Sequence, residues 1–444
     1  MSTGHSEDAR REVGAERMAP DALVAAARAA LADAGPELSG QEAELFLVRE
    51  GSLALEHEAS SSSFAARLGD SCSAVARVWN ATVRGVASGP VGEGADLKRL
   101  LVQAARRTVP SSSPPPVSPL PADSRLPSWR WAPSVSQARS DATRMVRECV
   151  PEGTVVQALV LTRRSTWSAL VRGHGVLAQV EQREEAFVRC ETPRGAVVDA
   201  VVLRADETAW GALRERLHAA VDALSGPVRE ADPRLPRVLR PAVAAPLVAG
   251  LGWLLRGDVA VSTPALARAV GKKIFPSLLT VEDLPRHVEG TRHRDWDDEG
   301  RDAQPLRLVD EGRLLGFLHS QESAARLGVP PHGRGLRDGA SEASAAALNL
   351  FIAPRGDALP ASYTELVARV ETFTAMPRPG RVSLIAGGWE VRDGRRVHRI
   401  APMELELPVL ETFRSLRGVG ADLTFFPTAE GCGTPTLLLP PSQE

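Results

Sequence analysis

Apolar and polar positions alternate with two different periods along this chain, and the changes of period mark its elements. Between Pro20 and Ala34 (PDALVAAARAALADA), Leu23, Ala27 and Leu31 recur four apart among strong helix formers, which predicts a helix with one apolar stripe against a core. The runs AELFLVRE, SLALEHE, SSFAARL and SAVARVW follow, divided by Gly, Ser and Asp, and several of them alternate apolar with polar residues. They predict short antiparallel strands with one face covered. ADLKRLLVQAARR returns to the helical period. Pro110 to Pro121 (PSSSPPPVSPLP) is short of backbone donors and predicts an extended linker. A helix over Ser136–Cys149 then leads into a second meander, VVQALVLTRR, TWSALVRGHG, VLAQVEQREEAFVRCE and GAVVDAVVLRA. The apolar stretch Pro241 to Leu255 is shorter than the roughly 18 to 20 residues that span a bilayer and contains Pro246, Gly250 and Gly252. It predicts a buried element of a soluble protein.

Runs of strands flanked by helices, without strict alternation, predict an α+β fold in two domains, each with antiparallel or mixed sheets packed by helices. The expected division is a helix, sheet, helix unit over 1–109, a Pro/Ser-rich linker over 110–134, a strand meander over 135–240 and a C-terminal domain over 241–444. No fixed-period repeat is present.

Composition narrows the partners. In 444 residues, 53 basic and 55 acidic side chains leave a net charge of -2, so no global field draws in nucleic acid or an anionic membrane. Lys occurs only at Lys98, Lys272 and Lys273, a bias toward Arg that reads as genomic composition. Cys72, Cys149, Cys190 and Cys432 lie far apart with no Cys-x-x-Cys pair, and the polar start MSTGHSEDARREVGAER has no apolar run behind it. A reducing cytoplasm is the expected location.

Chemistry is sparse. No P-loop, dinucleotide fingerprint or nucleophile elbow occurs, and Gly333 to Gly339 (GRGLRDG) reads as a flexible surface loop. Among the nine His no two are three or four apart. Ser61 stands where a second zinc ligand would follow His57-Glu58, which reads as a solvent-facing strand position. His287 and His293 read as exposed. The most distinctive stretch is Gly271 to Gly300, GKKIFPSLLTVEDLPRHVEGTRHRDWDDEG. There a strand-like run (IFPSLLTV) leads to Asp297, Asp298, Glu299 and Gly300, carboxylates suited to bind a cation, cap a helix or hold an Arg.

That stretch resembles the signature of the TldD/PmbA family, the modulators of DNA gyrase or TldD–TldE metallopeptidases. The resemblance rests on Pro276-Ser277-Leu278-Leu279-Thr280, the acidic Glu282-Asp283 and the Arg-rich approach from Arg294 to Gly300. It continues through the hairpin and helix from Leu306 to Val329, through Asn349-Leu350-Phe351-Ile352 with Pro354, Gly356 and Asp357, and into the C-terminal LRGVGADLTFFPTAEGCGTPTLLL. The opening run AELFLVREGSLALEHEASSSSFAARLGD is also similar to the family's first sheet. The Pro/Ser linker, GRGLRDGASEASAAALN and Thr374 to Gly380 (TAMPRPG) depart from its pattern.

The resemblance implies a zinc peptidase built from two kinds of subunit. The TldD kind carries a His-Glu-x-x-x-His helix ahead of the signature and a C-terminal Cys ligand. Here the corresponding Val243 to Arg256 has no His, Glu, Asp or Cys, and Cys432 sits in a Gly-Cys-Gly like that of the PmbA (TldE) kind. The implied role is a PmbA/TldE-like, non-catalytic subunit with no cofactor of its own. It would pair as a heterodimer with a TldD-like partner that holds the zinc, acting on small or unfolded peptides. No catalytic or metal-ligating residue is assigned to this chain; Asp297, Asp298, Glu299, Gly300 and Cys432 are signature positions of open role. The alternatives are a stand-alone peptide-binding or scaffold protein, and a displaced site in which His287, His293 or His319 meets Cys432 or the acidic turn.

Overall fold

The computed structural model describes residues 18–58, 64–111, 119–121, 125–203, 208–370, 380–428 and 431–442. Most of the Pro/Ser-rich run and of Thr374 to Gly380 lies outside them, as do the first 17 residues. The predicted helices form where the helical period placed them. Helix α1 (Pro20–Asp33) starts on a Pro, whose missing N–H has no partner to lose in a first turn, and buries Leu23, Val24, Ala27 and Ala30. Helix α2 (Gly94–Arg106) begins at a capping box of Glu93 and Asp96. Helix α3 (Val135–Cys149) is capped by Ser134, whose Oγ accepts the Gln137 N–H at 3.1 Å, and buries Ala138, Ala142, Met145 and Cys149. Helix α4 (Thr208–Leu224) packs beside it.

The strands are longer than the pattern predicts. AELFLVRE and SLALEHE fuse into one 17-residue strand, β1 (Glu42–Glu58), and the next two runs into β2 (Ala65–Trp79). Strands β3 (Val83–Pro90), β4 (Val109–Pro110), β5 (Val156–Arg172), β6 (Gly175–Thr192) and β7 (Gly195–Val202) follow, and β5 likewise absorbs two predicted runs. Gly51 does not break β1 because both neighbours hold it in the ladder, opposite Asp70 on β2 and Ser165 on β5. Its missing Cβ makes room for the Trp131 ring, which an added methyl would overlap.

Strands β1 to β7 continue into Arg237–Leu239, Tyr363–Val370, Arg381–Arg392 and Arg395–Pro408, so both sides of 110–134 feed a single sheet, 14-stranded among the described residues. Period-two alternation gives it two different faces. Odd positions of β1 meet the helices: Leu45 and Leu47 lie in the cluster of α1 and α2, Leu53 and Leu55 in that of α3 and α4. Even positions point to the opposite face. There the C-terminal part forms a further layer around α5 (Pro241–Leu254) and a six-stranded sheet that includes Val281–Asp283, Leu306–Asp310 and Leu350–Ile352. Helix α5 is buried on nearly every side, against Val281, Val309, Leu350, Val382 and Leu405 among others. The apolar stretch read as a buried element is this helix, and none of the described helices is long and apolar enough to cross a membrane.

Four local expectations are corrected. Of the strand-like IFPSLLTV only Val281 pairs in a strand, Val281–Asp283; the N–H groups of Ile274 and Phe275 both turn to the Gly312 carbonyl instead. Gly312, at φ 80°, closes the hairpin where a side chain would strike the Phe275 carbonyl. Gly333 to Gly339 is mostly buried: Gly335–Leu336 pairs with Ser344–Ala345, and Arg334 is 0% exposed because it pairs with the equally buried Asp283. His57 does lie on a strand, but its ring is half-buried against Phe64. His287 is half-buried between Phe351 and Phe425, with ring centroids 5.2 and 4.6 Å away.

Candidate functional site

The even-numbered face of the sheet carries a groove. Its floor comes from alternate positions of adjacent strands, namely Phe46, Val48 and Glu50 on β1, Arg164, Thr166 and Ser168 on β5, and Glu181 and Arg183 on β6. The register sets Val48 beside Ser168, Glu50 beside Thr166 and Arg164 beside Arg183. Its other wall is the C-terminal layer, through Arg292, Arg294, Asp298 and Arg337 to Gly339, and the groove encloses a cavity of about 90 Å³. Arg164 and Arg183 also border an adjoining hollow lined by Thr162, Glu185, Pro427 and Thr428.

Buried ion pairs join the wall to the floor. Arg294 donates from Nε and Nη2 to Glu181 Oε2, at 3.1 and 2.9 Å, and from Nη1 to Asp298 Oδ1 at 2.6 Å. Burial alone would raise the Glu181 carboxyl, but Arg294, Arg183 and Arg292 outweigh it and hold it well below the usual carboxylate range. Burial works against the Arg294 cation in the same way, and Asp298 and Glu181 carry its pKa upward instead. Beneath the groove Glu44, 1% exposed, pairs with Arg77 at 2.6 Å and with Arg172, and Arg77 reaches Glu299 at 3.9 Å.

The predicted acidic turn separates into three roles. Asp297 ties the turn itself: Oδ1 accepts the N–H groups of Glu299 and Arg301, at 3.0 and 2.9 Å, and Oδ2 that of Gly335 at 2.9 Å. Asp298 holds Arg294 and accepts the Arg337 N–H at 2.8 Å. Glu299 accepts the N–H of Gln321 at 2.7 Å, at the start of the short helix Gln321–Leu327. Burial, and for Asp297 the neighbouring Glu299, push the pKa of both carboxyls upward. Gly300 turns at φ 79° with Leu170 and Leu120 against its α-carbon, so the turn also seats on the sheet. Of the three uses open to these carboxylates, holding an Arg and capping a helix are the ones the geometry fills.

Asn349, 0% exposed, organises the segment above the groove. Its Oδ1 accepts the N–H groups of Thr291 and Arg292, at 2.7 and 2.9 Å, and its Nδ2 donates to the carbonyls of Leu284 and Arg292, both at 2.8 Å. Arg292 is thereby fixed at the groove wall. Sequence reasoning missed Arg292, Arg337, Ser168 and Glu181. For Ser168 and Glu181 the available signal was the polar residues that alternate with apolar ones, Arg164, Thr166 and Ser168 on β5 and Gln179, Glu181 and Arg183 on β6, although that alternation does not reveal what covers the polar face. Arg292 and Arg337 lie outside the strands and gave none.

Among the described residues no three His, Cys, Asp or Glu side chains gather as a metal site. His319 is buried with Nδ1 3.1 Å from Ser323 Oγ, and His293 is exposed. Helix α5, where the family resemblance would put zinc ligands, offers only Ala, Val, Leu, Pro, Gly and Trp side chains. The Cys432 thiol is 0% exposed and packs on that helix, 3.5 Å from the Ala245 carbonyl and 3.2 Å from Thr428 Oγ1. This donor set does not fit a zinc ion.

Residues 233–441 match the family described as PmbA/TldA metallopeptidase C-terminal domain. A metalloprotease of Methanothermobacter thermautotrophicus is 27% identical over 179 residues, 38% of this chain and 37% of that protein. The metalloprotease PmbA of Escherichia coli is 24% identical over 176 residues, 39% of this chain and 38% of PmbA. The matched stretch thus spans well under half the length of these curated relatives. In fold the likeness is nearly complete. The structure of TldE from Thermococcus kodakarensis has a TM-score of 0.72 at 18% identity, covering 93% of this chain and 98% of that one. That of a putative modulator of a DNA gyrase from Thermotoga maritima has a TM-score of 0.73 at 15% identity, covering 94% and 98%.

Proposed function

Because the chain belongs to the TldD/PmbA family, we propose that it is a PmbA/TldE-like subunit without catalysis of its own, within a zinc metallopeptidase complex that degrades or matures small or unfolded peptides. The observation that carries this reading is the donor-free helix α5 with the Cys432 thiol packed against it. A subunit can keep its fold while a ligand-bearing helix becomes apolar, since packing tolerates apolar replacement of buried polar groups. The chain then shapes the peptide chamber and stabilises a TldD-like partner that supplies the zinc. Zinc there would act as a Lewis acid on the scissile carbonyl and activate water. This chain's groove would orient the peptide. Four buried thiols are in keeping with a reducing cytoplasm.

The test is co-expression with a chain carrying His-Glu-x-x-x-His ahead of Asp-Asp-Glu-Gly, followed by size-exclusion chromatography, metal analysis and a peptide digest. Co-elution, with zinc and hydrolysis present in the complex and missing from the lone chain, is expected. Stoichiometric zinc in the lone chain would overturn the reading, and failure to co-elute would favour a stand-alone peptide-binding or scaffold protein.

A further inference from the structure

Five arginines and four carboxylates line the groove, one positive charge in surplus. Arg294 and Arg183 are paired with Glu181, and Arg164 lies 3.5 Å from Glu50. Arg292 makes no side-chain hydrogen bond or ion pair among the described residues, although Asn349 locks its backbone at the groove wall. Burial, and then Arg183 and Arg294, lower its pKa to about 10 against the attraction of Glu181 and Asp298, which leaves it cationic at neutral pH. Two further donors face no partner. The Ser168 hydroxyl, on a residue 5% exposed, has none among the described residues, and Arg337 Nε is buried without one.

We propose that this groove is a carboxylate-binding subsite, with Arg292 as its cation and Ser168 as a hydroxyl donor, that takes the C-terminal carboxylate or an acidic side chain of an extended peptide. A planar guanidinium matches the two oxygens of a carboxylate. One surplus cation matches one negative charge, and the apolar Phe46 and Val48 on the floor accommodate the chain behind it. That the ligand is a peptide rests on the function proposed above; the need for an anion does not.

Fluorescence polarisation with the full-length chain alone tests this, using a labelled unstructured peptide as free acid, as C-terminal amide, and as amide with one internal Asp. The free acid is expected to bind at least about tenfold more tightly than the amide, close to 1.4 kcal/mol. Arg292→Gln is expected to abolish that preference while thermal stability changes little, since no side-chain hydrogen bond is lost and relief of the desolvated cation offsets its lost attraction to Glu181. Tight, Arg292-dependent binding of the internal-Asp amide would identify side chains as ligands of the same subsite. Equal binding of acid and amide with no gain from Asp, or a preference that survives Arg292→Gln, would overturn the proposal. If Arg292→Gln does not fold, Ser168→Ala must weaken the free acid several-fold and acetate must displace it from the wild type, and failure of either overturns the subsite. No partner is present, so a negative result leaves the subunit reading intact, and failed co-elution leaves the subsite intact.

Discussion

Arg294 and Glu181, 113 residues apart in sequence, form a buried pair, two guanidinium N–H groups donating to one carboxylate oxygen, that fastens the signature segment of the C-terminal layer to the face of the large sheet. Both are at most 8% exposed, and the same guanidinium reaches Asp298. Removing one partner of such a network leaves uncompensated charge in a poorly solvated place. Arg294→Met is therefore expected to cost about 3 to 5 kcal/mol, read as a lower denaturation midpoint in urea. Arg294→Lys, which cannot reproduce the forked contact, should recover only part of it. A change below about 1 kcal/mol in the Met variant would show that the pair is not buried in solution.

Asn349 makes four hydrogen bonds to backbone groups of Leu284, Thr291 and Arg292. Asn349→Ala should cost about 2 to 4 kcal/mol and speed hydrogen exchange at Thr291 and Arg292 ahead of the core strands. Asn349→Asp keeps the acceptor but sets carboxylate oxygen against two carbonyls, so it should not restore stability.

Acid should weaken the fold through two groups in two stages, against an opposing gain from Asp297 and Glu299, whose raised carboxyls take up protons in the fold before the unfolded chain does. Burial, and then His332, lower the His319 pKa to about 4, with Asp258 opposing. Between the ordinary value near 6.5 and about 4 the unfolded chain binds a proton that the folded chain does not. Stability from this group is therefore full above 6.5 and falls with pH through that window, by about 3 kcal/mol in all. Glu181, depressed in the fold, contributes stability above the ordinary Glu range that is lost below it. His319→Gln should flatten the upper stage of a pH series of denaturation midpoints and leave the lower one. An unchanged slope between pH 6.5 and 4 would exclude His319 as its source.

All four thiols are buried, and burial raises Cys149 to about 11 and Cys190 to about 12. None should react with a thiol reagent at neutral pH except through unfolding, so labelling rates should follow denaturant-induced unfolding. Fast labelling of Cys432 in native protein would mean that its packing on α5 opens.

The helices were legible because their apolar stripes are local, and α5 was legible as a buried element because nothing in it is charged. The groove was not. Arg164, Thr166 and Ser168 alternate visibly with apolar neighbours, but what faces them arrives from Arg292 to Asp298, more than a hundred residues later, and no local period encodes that contact. The acidic turn could be located from its composition. Its division of labour could not, because the partners Gln321, Gly335 and Arg337 are set by the fold. Glycine was misread for a related reason: Gly51 has the composition of a break, and only the ladder on both sides shows an extended position kept open for a ring.

A methyl group added at Gly51 has an effect whose sign depends on Trp131. In a strand interior Gly is about 0.5 to 1 kcal/mol less favourable than Ala, so Gly51→Ala should stabilise β1 if backbone entropy decides. The overlap of the new methyl with Trp131 opposes this. A ring cannot yield as a flexible chain end does, and overpacking of this kind costs about 1 to 3 kcal/mol. The clash should win, giving net destabilisation and a red-shifted tryptophan emission as Trp131 is displaced from the sheet. In a Trp131→Ala background the overlap is gone and the same substitution should become neutral or stabilising. The double-mutant cycle thus separates the two effects by sign. If Gly51→Ala stabilised the wild-type background as well, Trp131 would not be seated on this strand.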